Sequence, residues 1–104
     1  MFPFTKYDLN NFFAQVIRIS AESLGISDTN WKTGVELLDE INKTNPTAGM
    51  HLREFMEAYS DWYDFNFDNN GVGIKKNQDD VQKSQPLERA RDAARDKLRT
   101  TLSI

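Results

Sequence analysis

Apolar side chains recur every three or four positions along most of the chain, which is the spacing that gathers them on one side of an α-helix. This pattern predicts four helices, over about residues 6–24, 28–43, 48–63 and 86–102. A residue suited to begin a helix stands at or near the start of each one: Thr5, Ser27, Thr47 and Pro86. The sequence therefore predicts a mainly α-helical fold.

The second and third helices are predicted to be amphipathic, with apolar sides buried and carboxylates facing water or a partner. The apolar side of the second helix comprises Trp31, Val35, Leu37, Leu38 and Ile41. That of the third comprises Leu52, Phe55, Met56, Tyr59, Trp62 and Tyr63. Ile26 and Trp31 also have the spacing of a hydrophobic staple at the start of the second helix. We therefore expect Trp31 to contact other apolar residues.

Between the third and fourth helices the apolar period changes from helical to two, because Phe65 and Phe67 alternate with polar residues. Asn70-Gly71 is a preferred pair for a type I′ turn, and closing the turn there would pair Phe67 with Ile74. The pattern predicts a short β-hairpin over about residues 65–75.

Residues 75–85 contain one apolar side chain and are predicted to form a flexible linker before the last helix. That helix carries a narrow apolar seam of Leu87, Ala90, Ala94, Leu98 and Leu102. We expect the seam to dock within the same domain. The alternative is a homodimer formed through the last helix.

The chain has 104 residues and no cysteine, so we expect one domain over residues 1–104 that is held together without disulfides. Its first residues lack the basic and then apolar pattern of a secretion signal. No apolar run approaches the roughly 18 residues of a membrane span. These observations predict a cytoplasmic protein with no membrane partner.

Charge is unevenly distributed around the net value of −3. Residues 35–68 contain eight acidic and two basic side chains, whereas residues 85–104 contain five basic and three acidic ones. The five bases surround their helix and alternate with acids, which argues against direct nucleic-acid binding. The acidic middle favours a protein partner instead. The residues predicted to bind it are acids and hairpin aromatics: Glu36, Glu40, Glu54, Glu57, Asp61, Asp64, Phe65 and Phe67.

An enzymatic alternative uses the carboxylates of the two middle helices as Mg²⁺ ligands. The acids of Glu36-x-x-Asp39-Glu40 and Glu54-x-x-Glu57 are similar in spacing to the acidic motifs of the all-α nucleotide pyrophosphatases. That resemblance implies a Mg²⁺-dependent pyrophosphohydrolase. Helical phase places the acids opposite the apolar sides, however, which favours solvated faces over a metal site.

Other sites for metals or catalysis receive little support from the sequence. Residues 66–71 resemble the first half of an EF-hand calcium loop, but Asn77 stands where its bidentate glutamate is required. His51 is the only histidine, and no nucleophile elbow or phosphate-binding loop is present. We therefore predict no metal, no cofactor and no enzymatic activity.

Small size and acidity without a catalytic motif favour a protein-binding domain. We interpret the chain as a non-catalytic binding domain of the kind that serves as an inhibitor, an immunity protein or a phage accessory protein. Two alternatives stay open beside it, the Mg²⁺-dependent hydrolase and a self-associating structural subunit.

Overall fold

Helix starts in this chain are set by short polar side chains that accept hydrogen bonds from the first free backbone amides. Thr5 with Asp8, Thr33 with Glu36, and Asn77 with Asp80 each form a reciprocal capping box. The computed structural model describes residues 4–104, so residues 1–3 of the predicted domain lie outside the described part. Within it the helices are α1 Lys6–Ser23, α2 Gly34–Thr44, α3 Pro46–Asn66 and α4 Gln78–Leu102. The prediction of a mainly helical chain with four helices is confirmed.

The predicted start of the second helix at residue 28 is wrong. Asp28 adopts a left-handed conformation with φ 58°, and a single 3₁₀ turn, Thr29–Trp31, follows it. Lys32 is extended, and α2 begins only after Thr33, whose side chain accepts from the amide of Glu36 at 3.1 Å. Trp31 and Val35 consequently point into solvent, with 88% and 78% of their surfaces exposed. Their predicted place on the buried side of the second helix is therefore also wrong.

The third helix is longer than predicted at both ends. Asn45 caps it in place of Thr47, since its side chain accepts from the amide of Ala48 at 3.1 Å, and Pro46 occupies the first turn. At the other end the helix continues through Asn66.

The predicted hairpin is not formed, and no β-strand occurs within residues 4–104. Because α3 continues to Asn66, only one antiparallel bridge remains, and it joins Phe67 to Gly73 instead of Ile74. The carboxylate of Asp68 accepts from the amides of Asn70 and Val72, which bends the chain into a side-chain-stabilised turn. A type I′ turn would need positive φ at Asn70, and among the described residues only Asp28, Ser103 and two glycines have it.

The predicted linker is also wrong over residues 78–85, which form the first two turns of α4. Pro86 lies inside the helix instead of at its start. Ser84 is buried and exchanges hydrogen bonds of 3.0 and 3.1 Å with the side chain of Asn66. This contact ties the beginning of α4 to the end of α3.

The helices enclose one apolar core. Helix α4 packs along α3 and runs antiparallel to it, since Ser84 meets Asn66 at one end while Thr101 lies near His51 at the other. The core residues are Ile17, Ala21, Leu37, Ile41, Ala48, Leu52, Phe55, Ala94, Leu98 and Leu102. Three members of the last-helix seam are thus buried within the chain, while a homodimer stays a prediction. In the described part of the chain, no helix combines the length and the apolar composition that a bilayer crossing requires.

The N-terminal segment is tied across the end of α3. Tyr63 is fully buried, and its hydroxyl donates to the carbonyl of Phe4 and lies 3.1 Å from that of Asp68. The amide of Lys6 donates to the carbonyl of Asn69 at 2.9 Å. Gly71 fits beneath Phe4 because it has no side chain.

Candidate functional site: an acidic groove between α3 and α4

The eight predicted binding residues do not form one surface. They are distributed over α2, α3 and the turn that follows: Glu36, Glu40, Glu54, Glu57, Asp61, Asp64, Phe65 and Phe67. None of the six acids is buried. Burial therefore does not distinguish them, and the contacts that each carboxylate makes within the protein do.

The two acids of α2 stabilise their own helix and its approach. The carboxylate of Glu36 accepts from the backbone amide of Thr33 at 2.9 Å. This bond, together with the Thr33 side chain and the nearby charge of Lys32, lowers the pKa of Glu36 below its ordinary value. Glu40 forms an ion pair with Lys32 at 2.9 Å. Both carboxylates thus already hold a contact within the described part of the chain.

The far end of α3 is likewise occupied by internal contacts. Asp64 pairs with Lys6 of the N-terminal segment. Phe67 packs its ring against Trp62 and Tyr63, at centroid distances of 5.5 and 5.3 Å. The ammonium group of Lys76 lies 4.9 Å from the ring centre of Phe65. Phe65, in the last turn of α3, and Phe67, directly after it, are both half-buried, and these contacts stabilise the fold around the end of α3.

The remaining three acids lie together. Glu54, Glu57 and Asp61 follow one another at intervals of three and four residues, so they line one side of α3. They border a shallow groove of about 380 Å³ between α3 and α4. The rest of its lining is mostly small and apolar, and comprises Ala58, Leu87, Ala90, Ala93, Ala94 and Lys97. We call this feature the acidic groove.

The acidic groove has unbalanced charge. Its lining holds three carboxylates and one lysine, which gives a net charge of −2. Glu54 contacts Nδ1 of His51 at 3.0 Å. Glu57 and Asp61 form no ion pair with any residue in the described range 4–104. They are the two predicted residues whose charge is exposed and uncompensated.

The carboxylates that the enzymatic alternative requires as Mg²⁺ ligands do not converge on a common point. Within residues 4–104, no three acidic, histidine or cysteine side chains lie close enough to share a metal ion. Glu36 and Glu40 lie on α2, away from the acidic groove between α3 and α4. The Mg²⁺-dependent hydrolase thus stays a prediction without a preassembled ligand set in this part of the chain.

The α4 side of the groove was not predicted, because it depends on how two helices pack. The apolar seam indicated which residues of α4 approach α3, but Leu87 and Ala90 lie at the edge and stay at least partly exposed. The groove is therefore defined by its geometry and charge. No family model, curated protein or solved structure matches the chain.

Proposed function

We propose that the chain is a protein-binding domain whose acidic groove receives a basic segment of a partner protein. The observation that carries this proposal is the exposed, unpaired state of Glu57 and Asp61 on one side of α3. A carboxylate that caps a helix or pairs with a lysine must give up that contact to bind a partner. Glu57 and Asp61 have no such contact to give up.

The floor of the acidic groove suits the approach of a peptide. Alanine side chains are short, so a partner's backbone or the stem of a lysine can approach α4 closely. Lys97 lies at the same groove as Glu54 and Glu57, and it gives the groove a polarity that would orient the bound segment. Roles as an inhibitor, an immunity protein or a phage accessory protein are consistent with this proposal, since each acts by occupying another protein.

Charges at an exposed rim contribute mainly to the association rate and to the choice of partner. We therefore expect the association rate to fall as salt is raised from low to physiological concentration, where the screening length is about 8 Å. Dissociation should change much less with salt.

The test is quantitative capture of partners from host lysate by the immobilised protein. Glu57→Lys combined with Asp61→Lys should reduce capture of the specific partner at least about tenfold. The matched control is Asp39→Lys with Glu88→Lys, which makes the same charge change at exposed sites outside the groove. If both double variants lose the same amount of captured partner, the cause is the overall charge of the protein and not the groove. Unchanged capture by the groove variant would refute the proposal.

A further inference from the structure

A second groove of opposite charge lies between α1 and α4. It consists of two adjoining depressions, of about 200 and 350 Å³, which share Phe12, Phe55 and Arg95. Helix α4 packs closely against α3 but not against α1. The resulting gap is floored by α3 and open to solvent. We call it the α1–α4 cleft.

The floor and ends of the α1–α4 cleft are apolar. Phe12 packs against Phe55 and Tyr59, with ring centres 6.4 and 5.1 Å apart. Ile19 on α1 and Ile104 at the end of the chain border the cleft and keep 50% and 54% of their surfaces exposed. Half-exposed isoleucines beside an aromatic floor are apolar surface that a partner can cover.

One wall of the cleft carries a row of arginines. Arg91, Arg95 and Arg99 are four residues apart, so they follow one side of α4. Asp92 is the only acid among the cleft's lining residues, and Asp96 pairs with Arg95 from beside the cleft, so the three arginines keep one positive charge in excess. The wall formed by α1 has no charged residue in the lining.

The three guanidinium groups are not equally available. Arg91 lies 3.0 Å from Asp92 and covers the ring of Trp62 at 4.4 Å. Arg95 is shared by Asp92 and Asp96, at 3.7 and 3.2 Å. Arg99 forms no ion pair within the described residues. Among those residues it is the unpaired cation of the cleft and lies beside Leu98 and Leu102 of the same helix.

We propose that the α1–α4 cleft binds an amphipathic helix of a partner protein that carries acidic residues along one flank. The cleft follows α4 from Arg91 to Leu102, which is about 16 Å or three helical turns. An apolar ridge with residues three and four apart would cover Ile19 and the aromatic floor. Carboxylates beside that ridge would meet Arg99 and Arg95, whose planar guanidinium groups bind carboxylates through paired hydrogen bonds.

Charge selects this occupant over a second copy of the chain that presents the same cleft. Two copies that meet through the same cleft around a twofold axis would bring their arginine rows together. Like charges across an interface disfavour association. An acidic helix removes this repulsion and neutralises the excess charge of the cleft. This site is separate from the acidic groove and does not depend on it.

The test uses a fluorescein-labelled helical peptide of about 14 residues with leucines three and four apart and glutamates beside them. A matched peptide carries lysines in place of the glutamates. Fluorescence anisotropy should show that the acidic peptide binds at least about tenfold more tightly than the basic one. Equal affinity of the two peptides, or no binding of the acidic peptide at millimolar concentration, would overturn the proposal.

Variants locate the binding. Arg99→Glu should weaken the acidic peptide about tenfold, whereas Arg89→Glu, an exposed arginine outside the cleft, should change its affinity less than about twofold. Ile19→Asp should also abolish binding while circular dichroism confirms that the helices remain. Equal effects at Arg99 and Arg89 would contradict the proposal. So would a dimer in light scattering that Ile19→Asp dissociates, because a second copy would then occupy the cleft.

A final control separates this site from the proposed function. The variant Glu57→Lys with Asp61→Lys should keep the affinity for the acidic peptide within about threefold, because those residues do not line the cleft. Loss of peptide binding in that variant would mean that the two surfaces form one site. The proposal for the α1–α4 cleft would then be wrong, and the proposal for the acidic groove would be unaffected.

Discussion

Gly71 occupies a position where the backbone conformation and the approach of Phe4 both require a residue without a side chain. Its φ is 77°, a value that side-chain-bearing residues rarely adopt, and a Cβ atom there would lie 2.6 Å from the carbonyl oxygen of Phe4. Gly73, two residues on, has nothing within 4 Å of the same position. The two glycines therefore form a matched pair for substitution.

Gly71→Ala should lower the free energy of unfolding by about 1–3 kcal/mol from backbone strain, with a further loss from the contact with Phe4. Gly73→Ala should change it by less than about 0.5 kcal/mol. Urea denaturation followed by circular dichroism measures both values. Similar costs at the two sites would show that Gly71 does not lie against the N-terminal segment.

The two tryptophans, residues 31 and 62, have opposite environments. Trp31 is almost fully exposed, whereas Trp62 is half-buried beneath the guanidinium group of Arg91. The variant Trp62→Phe keeps only Trp31, and Trp31→Phe keeps only Trp62. Acrylamide should quench the fluorescence of the first variant several-fold more strongly than that of the second. Equal quenching would place Trp31 in the core, where its helical spacing predicted it. Trp31→Phe itself should alter stability by less than about 0.5 kcal/mol.

Among the elements, α2 shows where sequence patterns suffice and where they fail. The helix was correctly predicted from Leu37 and Ile41, which are buried. Its start was not, because Ser27 and Thr33 are both suitable caps and only Thr33 has a glutamate three residues later. That glutamate, Glu36, makes the capping box that fixes the boundary. The spacing of Thr33 and Glu36 is present in the sequence and is the local signal that marks this start.

The cap of α2 predicts a pH dependence. A carboxyl whose pKa is lowered in the folded protein stabilises it above the ordinary value of 4.5, and this contribution is lost as pH falls through the lowered pKa. Glu36→Gln should therefore show a smaller fall in urea midpoint between pH 7 and about pH 3 than the wild type. Thr33→Ala, which removes the capping hydroxyl but keeps the backbone amide that Glu36 binds, should have a smaller effect in the same direction. An unchanged pH profile in both variants would contradict the assignment.

The region after α3 was beyond prediction for a different reason. Phe65 and Phe67 alternate with polar residues in the sequence, as in a strand, yet Phe65 lies in the last turn of a helix. The side chain of Asn66 in that turn binds Ser84, 18 residues away, and this contact helps to hold the turn in place. The acids of the acidic groove could be predicted from their spacing along α3. The floor of the groove could not, because it forms only where α4 packs on α3. Local patterns carry no information about such distant contacts.

At the scale of the whole molecule, Tyr63 connects three parts of the chain. Its buried hydroxyl contacts the N-terminal segment at Phe4 and the turn at Asp68. Burial raises the pKa of Tyr63, and the negative charges of Asp68, Asp64 and Asp8 raise it further. The fold therefore favours the neutral phenol and loses stability once the pH rises above 10.0, the ordinary value, where the unfolded chain ionises first.

Tyr63→Phe should lower the free energy of unfolding by about 1 kcal/mol at neutral pH, because a buried hydrogen bond is lost. The same variant should lose less stability than the wild type between about pH 9 and pH 11. Part of the alkaline loss should persist, since burial also raises the pKa of Tyr59. Tyr7→Phe, at a tyrosine that is 73% exposed, is the control. An identical alkaline loss in Tyr63→Phe and Tyr7→Phe would refute the role of Tyr63.

Pro86 divides α4 into two parts that differ in their resistance to local unfolding. A proline has no N–H, so the carbonyl of Gln82 lacks its helical donor, and the side-chain contact of Ser84 with Asn66 joins the first turns to the body of the protein. The later turns are held by Ala94, Leu98 and Leu102 in the core. Hydrogen exchange with solvent should consequently proceed by opening of residues 78–85 before any opening beyond the proline, and a protease would find its first cleavage site there.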